Sequence, residues 1–228
     1  MKKKRKTVNK TKNKRIIAAV IIIVLIAAGA MYFLGGRTQF FDDGINKVCL
    51  DAGHGGSDSG AVSKDGKRFE KDDDLALTLK IKENLEAQGV TVVLTRDDDS
   101  YVSLGDRCRT ANRKRCDLFV SVHRNSADSG ASGIEAWISN TAGTSESRIA
   151  GEIVKAVCGV TEQANRGVKR GYRGNAVGNY YVNSDTKMPS LLLECGFISN
   201  ESDNSVFDST LDETAKAIAD AIVNEYFN

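Results

Sequence analysis

The sequence predicts an α/β fold: a mostly parallel sheet with helices on its faces, preceded by an N-terminal transmembrane helix. Three observations predict it. From residue 47 onward, short apolar runs alternate with longer segments of helical period, a pattern that sets helices against the faces of a sheet. Ahead of them lies an uncharged run, Ile16 to Leu34, long enough to cross a bilayer as a helix. The only two histidines, His54 and His123, each end a short apolar run of strand character. Ligands in open α/β sheets gather beyond the carboxyl ends of strands.

Residues 1–15 form a basic tail with nine Lys or Arg and no acid. Residues 16–34 form a signal-anchor, and the basic flank before it fits the positive-inside rule with the carboxyl side exported. The alternative is a signal peptide cleaved near Ala30, where Ala28-Gly29-Ala30 has the small-residue spacing of a cleavage site. The expected location is therefore the cytoplasmic membrane, single-pass, with an extracytoplasmic domain, or a secreted domain after cleavage. Residues 35–46 read as a linker, and residues 47–228 as the folded domain.

Within that domain, Lys47 to Asp51 reads as the first strand. Asp72-Asp73-Asp74 opens a helix running to about Gln88. Acids suit a helix N-terminus, and these three read as solvated caps. Leu77, Ile81 and Leu85 form its apolar stripe, and Gly89 stops it. Val90 to Thr95 is a β-branched strand. Leu104 to about Arg115 reads as helix and Asp117 to Val122 as strand. Ile134 to Ile138 alternates like a half-buried strand. Ser145 to Val157 is helical, with Ile149, Ile153 and Val157 in register. Leu191 to Cys195 is an apolar strand, and Leu211, Ile218, Ile222 and Tyr226 mark a closing helix. Residues 159–187 are polar and Gly-rich; their length favours a binding loop.

The formal charge of +2 hides an asymmetry. Setting aside the tail's nine charges leaves 23 basic and 30 acidic side chains in residues 16–228, a net of −7. A nucleic-acid-binding domain needs a basic surface, so nucleic acid is excluded as a partner of the folded domain. The five cysteines form no CxxC pair and read as small buried hydrophobes. Cys108 and Cys116, if on one helix, stand about 12 Å apart, beyond disulfide reach. No disulfide framework is expected.

Four positions carry candidate chemistry. His54 lies in Leu50-Asp51-Ala52-Gly53-His54-Gly55-Gly56, a run without the Lys-Ser/Thr ending of a phosphate loop. It is either a ligand or a turn-stabilising side chain. Glu70, just before the first helix, is either a metal ligand or a helix N-terminal acid. His123, in Ser121-Val122-His123-Arg124-Asn125, is either a ligand or a satisfied core histidine. Glu194 ends an apolar strand, and a charged group there is costly unless it is paired or bound. Cys195, the next residue, faces the other side of the sheet. Two His and one Glu make a catalytic zinc set with a fourth position for water, and a further acid can manage protons. Asn125 is a candidate to orient a ligand or contact substrate. Arg124 either meets a carboxylate of a substrate or turns to solvent.

Together these segments resemble the zinc-dependent N-acetylmuramoyl-L-alanine amidases of the type 3 cell-wall hydrolase family, over about residues 47–226. The resemblance is carried by Leu50 to Gly56, Glu70-Lys71, Leu104 to Asn112, Ser121 to Asn125, Asn165-Arg166-Gly167-Val168-Lys169, and Met188-Pro189 through Glu194 to Asn200. It implies that His54, Glu70 and His123 bind one zinc ion per chain and that Glu194 is the catalytic carboxylate. It implies a twisted sheet of about six strands. It also implies a substrate, peptidoglycan, cleaved between the muramoyl lactyl group and L-alanine by zinc-activated water. The Glu-Cys-Gly-Phe wording and the membrane segment resemble the sporulation-associated branch. Some relatives carry a helix that plugs the zinc; no plug is expected between Ile138 and Ser190. Ala52 stands where the family usually has proline, and Arg124 and Ser126 where it has small apolar residues. Arg107 reads as a structural ion-pair partner. The competing readings are an anchored zinc peptidase or deacetylase and a non-catalytic wall-binding relative. No motif identifies an activating protein.

Overall fold

The computed structural model describes residues 46–128, 130–173 and 177–227. The expected tail, membrane span and nearly all of the linker lie outside them. Among the described residues no helix is long and apolar enough to cross a membrane.

Strand β1 (Lys47–Ala52) is followed by α1 (Glu70–Ala87), β2 (Thr91–Leu94), α2 (Leu104–Lys114), β3 (Leu118–Asn125) and β4 (Ile134–Ile138). Then come α3 (Thr144–Thr161), β5 (Asn165–Arg170), α4 (Tyr181–Asp185), β6 (Ser190–Phe197), α5 (Glu201–Ser209) and α6 (Leu211–Ile222), closed by a π-helical turn over Val223–Phe227. The six strands form one sheet in the order β2-β1-β3-β6-β4-β5. Every pairing is parallel except β4 against β6. The mostly parallel α/β sheet therefore stands as expected.

Alternation along the strands divides the sheet's two faces. Leu50, Val120, Val122, Leu191, Leu193, Cys195 and Ile134 point into the main core. There they meet Leu77, Ile81 and Leu85 of α1, Ile149, Ile153 and Val157 of α3, and Ala215, Ile218 and Ile222 of α6. The intervening residues, including Phe119, Ser121 and Leu192, face the other way and are also buried. The residues Asp51, Ser121, His123, Glu194 and Glu135 follow one another across β1, β3, β6 and β4 in paired register. This polar row lies on the face away from the main core.

Two local differences from the sequence reading matter. Helix α1 begins at Glu70, not Asp72, and of the three aspartates only Asp72 is exposed; Asp73 and Asp74 are buried. The unassigned stretch contains β5 and the short α4, and a further helix, α5, precedes the closing one. All five cysteines carry free thiols, and four are buried.

Candidate metal centre and active site

The strand order reverses at β1: the chain continues to β2 on one side and later places β3 on the other. A crevice opens at such a switch point, beyond the carboxyl ends of the strands. His54 follows β1, and His123 lies near the end of β3. Their ring centroids are 5.0 Å apart, nearly perpendicular at 84°.

Buried arginines hold the first loop in place. Arg107 donates to Ala52 O at 2.6 Å, to His54 O at 2.6 Å and to Asp51 Oδ1 at 2.7 Å. Its ion pair with Asp51 is the structural role expected of it. Arg96 donates to Ala52 O and Gly53 O. So held, His54 adopts a left-handed backbone, φ 57°, a conformation uncommon outside glycine and worth attention at a site.

Glu70 sits between the two rings. Its Oε1 lies 3.0 Å from His123 Nδ1 and 3.3 Å from His54 Nε2. Oε1 also accepts from Arg124 N at 3.1 Å, and Oε2 accepts from Ala61 N at 2.7 Å. Glu70 is the first residue of α1, a place compatible with both the helix-terminal and the ligand readings. Burial works to raise its pKa, but the two imidazoles outweigh burial and hold the carboxyl well below the ordinary range. Burial likewise lowers His54, yet Glu70 and Asp58 prevail and push it up to about 9.

Two more carboxylates crowd the site. Asp74, one helical turn past Glu70, is fully buried, and neither of its oxygens has a hydrogen-bond partner among the described residues. Oδ2 lies 3.9 Å from His123 Nδ1. Burial, then Glu70 and Glu194, push its pKa well above the usual value. One donor atom each from His54, Glu70, Asp74 and His123 falls within 4.8 Å of all the others. Glu194 pairs in register with His123. Its Oε2 is buried without a partner among the described residues, and burial with Glu70 and Glu135 raises its pKa to about 8. His54, Glu70, His123 and Glu194 all line one cavity of about 670 Å³, with α4 residues Tyr181 and Val182 on another wall.

Residues 48–224 match the family described as N-acetylmuramoyl-L-alanine amidase. The chain belongs to that family. This amidase is 39% identical over 178 residues to the uncharacterized protein YqiI of Bacillus subtilis, covering 78% of this chain and 81% of that one. It is 37% identical over 161 residues to the sporulation-specific N-acetylmuramoyl-L-alanine amidase of the same organism, covering 69% of this chain and 58% of the relative. It superposes with a TM-score of 0.72 and 32% identity on the CwlD amidase from Clostridioides difficile, solved in complex with the GerS lipoprotein. That match covers 79% of this chain and 98% of the other.

Of the two residues expected to contact substrate, Arg124 needs correction and Asn125 keeps its place on the cavity. Arg124 does not reach the cavity with its charge. It alternates away from His123, and its buried guanidinium pairs with Asp73, donates to Asn204 Oδ1 at 2.7 Å and stacks 4.3 Å from the Phe207 ring centroid. Asn125 lines the cavity, but both ends of its amide are engaged. Nδ2 donates to Glu135 at 3.1 Å, and Oδ1 accepts from Ser126 N and Arg173 Nη1. Sequence reasoning missed Asp58, Asp74 and Arg173. An acid four residues after His54 was a usable signal for Asp58. Asp74 stands four after Glu70 and so on the same helical face. Nothing in the sequence pointed to Arg173.

Proposed function

We propose that this chain is a zinc-dependent peptidoglycan hydrolase that cleaves the amide joining the lactyl group of N-acetylmuramic acid to L-alanine of the stem peptide. One observation carries the reading: His54 Nε2 and His123 Nδ1 converge within 3.3 Å of the same Glu70 oxygen, beside an unpartnered Glu194. Family membership supplies the reaction class, and the geometry supplies residues for it.

The donor set suits zinc, with two imidazole nitrogens and a carboxylate and room for water. The buried, unpartnered oxygens of Asp74 point the same way, because buried carboxylates without partners are costly unless a cation lies nearby. His54, Glu70 and His123 would hold the ion. When bound, it supplies Lewis acidity, polarising the scissile carbonyl and lowering the pKa of water.

The chain's own residues do the rest. Asp58 orients His54 through Nδ1, fixing the tautomer that presents Nε2. With a cation beside it to offset its burial, Glu194 would be ionised and accept a proton from the attacking water on its free Oε2. It then delivers that proton to the alanine nitrogen as the C–N bond breaks, so the peptide leaves as a neutral amine. The products are a glycan lactyl carboxylic acid, which releases its proton to solvent, and a free stem peptide.

The basic tail followed by 19 uncharged residues supports an anchored enzyme working outside the membrane within reach of the wall. The sporulation-specific relative supports a role in spore peptidoglycan. The CwlD complex supports a lipoprotein as a binding partner. Digestion of purified peptidoglycan, followed by labelling of new amines, tests the activity. New L-alanine amines that vanish on chelation and return with zinc support it. New diaminopimelate or D-amino-acid amines would make the enzyme a peptidase instead.

A further inference from the structure

Three arginines line the catalytic cavity: Arg107, Arg124 and Arg173. The charges of two are already matched, Arg107 by Asp51 and Arg124 by Asp73. Among the described residues Arg173 forms no ion pair. It is exposed, in a cavity whose other charges are largely acidic. Its guanidinium is nevertheless held in place: Nη1 donates to Asn125 Oδ1 at 2.9 Å and to Ser126 O at 3.0 Å. Asn125 is itself fixed by Glu135, which is buried and anchored by Arg166 and Lys169. A chain of polar contacts thus runs from the sheet interior to one exposed cation on the cavity wall.

We infer that Arg173 is a carboxylate-recognition residue, binding an acidic group of the stem peptide just beyond the alanine. This rests on the amidase reading above and names a specificity element within it. The stem peptide carries a free carboxylate on its second residue, an acid linked through its side chain, and a second residue in extended chain reaches about 7 Å. Asn125 stands two residues beyond His123 on β3, which advances about 6.6 Å along a strand, with a bulge between the two. Arg173 sits on Asn125, so the cation lies about one dipeptide from the metal-binding imidazole. Its charge is also felt at Glu194, where it opposes the upward pKa shift. A guanidinium anchored through Nη1 suits a planar carboxylate better than an ammonium does. The neighbouring Tyr172 and Tyr180 rings, 4.9 Å apart between centroids, give the peptide backbone an apolar wall.

The test uses the full-length enzyme and four synthetic muramoyl tripeptides, with the second and third residues each bearing either a free carboxylate or a carboxamide. The wild type should favour the free second-residue acid by about tenfold in kcat/KM, the usual scale of a charged hydrogen bond. Arg173→Gln should raise KM for that substrate about tenfold, leave kcat within about threefold and erase the preference, a loss of ground-state binding. Its zinc content should not change. Arg173→Lys should recover part of the preference. If the lost preference concerns the third residue alone, the assignment to the second-residue carboxylate is overturned. A wild type indifferent to amidation at both positions, or an Arg173→Gln enzyme that loses kcat equally on all four, overturns the inference. Failure of the wild type to release an L-alanine amine from any of the four overturns the amidase reading itself.

Discussion

Asp58 grips the back of the His54 ring. Nδ1 lies 2.9 Å from Asp58 Oδ2, while Nε2 on the opposite edge lies 3.3 Å from Glu70 Oε1. An imidazole so held presents one nitrogen to a metal. Carboxylates in this position raise ligand basicity and fix ring orientation. Asp58→Ala should therefore weaken zinc by about 10- to 100-fold, the usual cost of losing such a partner. The fold should survive, since the Asp58 side chain is 47% exposed. Competition against a chelator of known affinity measures this; an unchanged zinc affinity would remove Asp58 from the site.

Glu194 and His123 occupy paired positions on adjacent strands, yet their loss should read out differently. Glu194→Gln keeps the shape and the proposed ligands but has no carboxylate to move a proton. It should bind zinc normally and lose about 10²- to 10⁴-fold in turnover, the range for general acid–base groups. His123→Ala should lose zinc outright. Metal analysis beside single-turnover hydrolysis separates the two, and a fully active Glu194→Gln enzyme would reverse the proposed roles.

Much of this arrangement was legible because the local signal and the tertiary outcome agree. The run Ile134–Ile138 forms β4 with the expected limits, although all five residues are buried rather than half of them, because the strand lies inside the sheet between β6 and β5. Leu77, Ile81 and Leu85 repeat at one helical face and all face the core. The failures have equally local causes. Strand β5, Asn-Arg-Gly-Val-Lys-Arg, is an edge strand, and edges carry charge that masks strand character. Helix α4 has five residues, too few for a period. The start of α5 was readable in principle: Asn200 accepts from Ser202 N and Asp203 N, an N-cap arrangement. Asp74 was misread because an acid in a first helical turn is normally solvated, and only the packing of β1 and β3 over it buries this one. Arg124 was misread because the step from His123 to its neighbour reverses the face of the sheet.

Asp74 brings to the candidate metal centre a buried carboxyl without hydrogen bonds of its own, and a bound cation would offset the burial and favour its ionised form. Unit charges about 5 Å apart interact by about 3 kcal/mol at an effective dielectric of 20, so its loss should be felt by a divalent ion. Asp74→Asn preserves volume and removes the charge. Zinc affinity should fall by on the order of tenfold or more, and the zinc-induced rise in Tm should shrink accordingly. Equal zinc-induced shifts in variant and wild type would make Asp74 a bystander.

Glu135 anchors the far end of the polar row. Its carboxylate meets Arg166 at 2.7 Å, Lys169 at 2.9 Å and Trp137 Nε1 at 2.9 Å. Burial works to raise its pKa, but these donors prevail and lower it. A group with a depressed folded-state pKa stabilises above its unfolded value, about 4.3 for glutamate, and loses that stabilisation as pH falls through the folded value. Glu135→Gln should cost about 1–2 kcal/mol at pH 7, the lower part of the range because both cations are partly exposed. The gap between variant and wild type should narrow as pH drops below about 4. Urea unfolding across pH 3–7 reads this directly; a pH-independent gap would mean that packing, not charge, explains the loss.

Two glycines separate crowding from backbone strain at the site. A Cβ on Gly53 would collide with the His123 ring and come within 2.6 Å of Asp74 Oδ2. The backbone there cannot easily yield, because Gly53 N donates to Val122 O at 3.0 Å and Arg96 holds Gly53 O at 2.6 Å. Gly66, by contrast, has a left-handed φ of +77° and open space around it. Gly66→Ala should cost about 1 kcal/mol of stability through backbone strain and leave zinc affinity unchanged. Gly53→Ala should displace His123 and lower zinc affinity at least about tenfold, as expected when the neighbours that orient a ligand are disturbed. Thermal unfolding and zinc titration of both variants decide the matter. If Gly53→Ala binds zinc as tightly as Gly66→Ala, the close approach of β1 to His123 plays no part in shaping the metal centre.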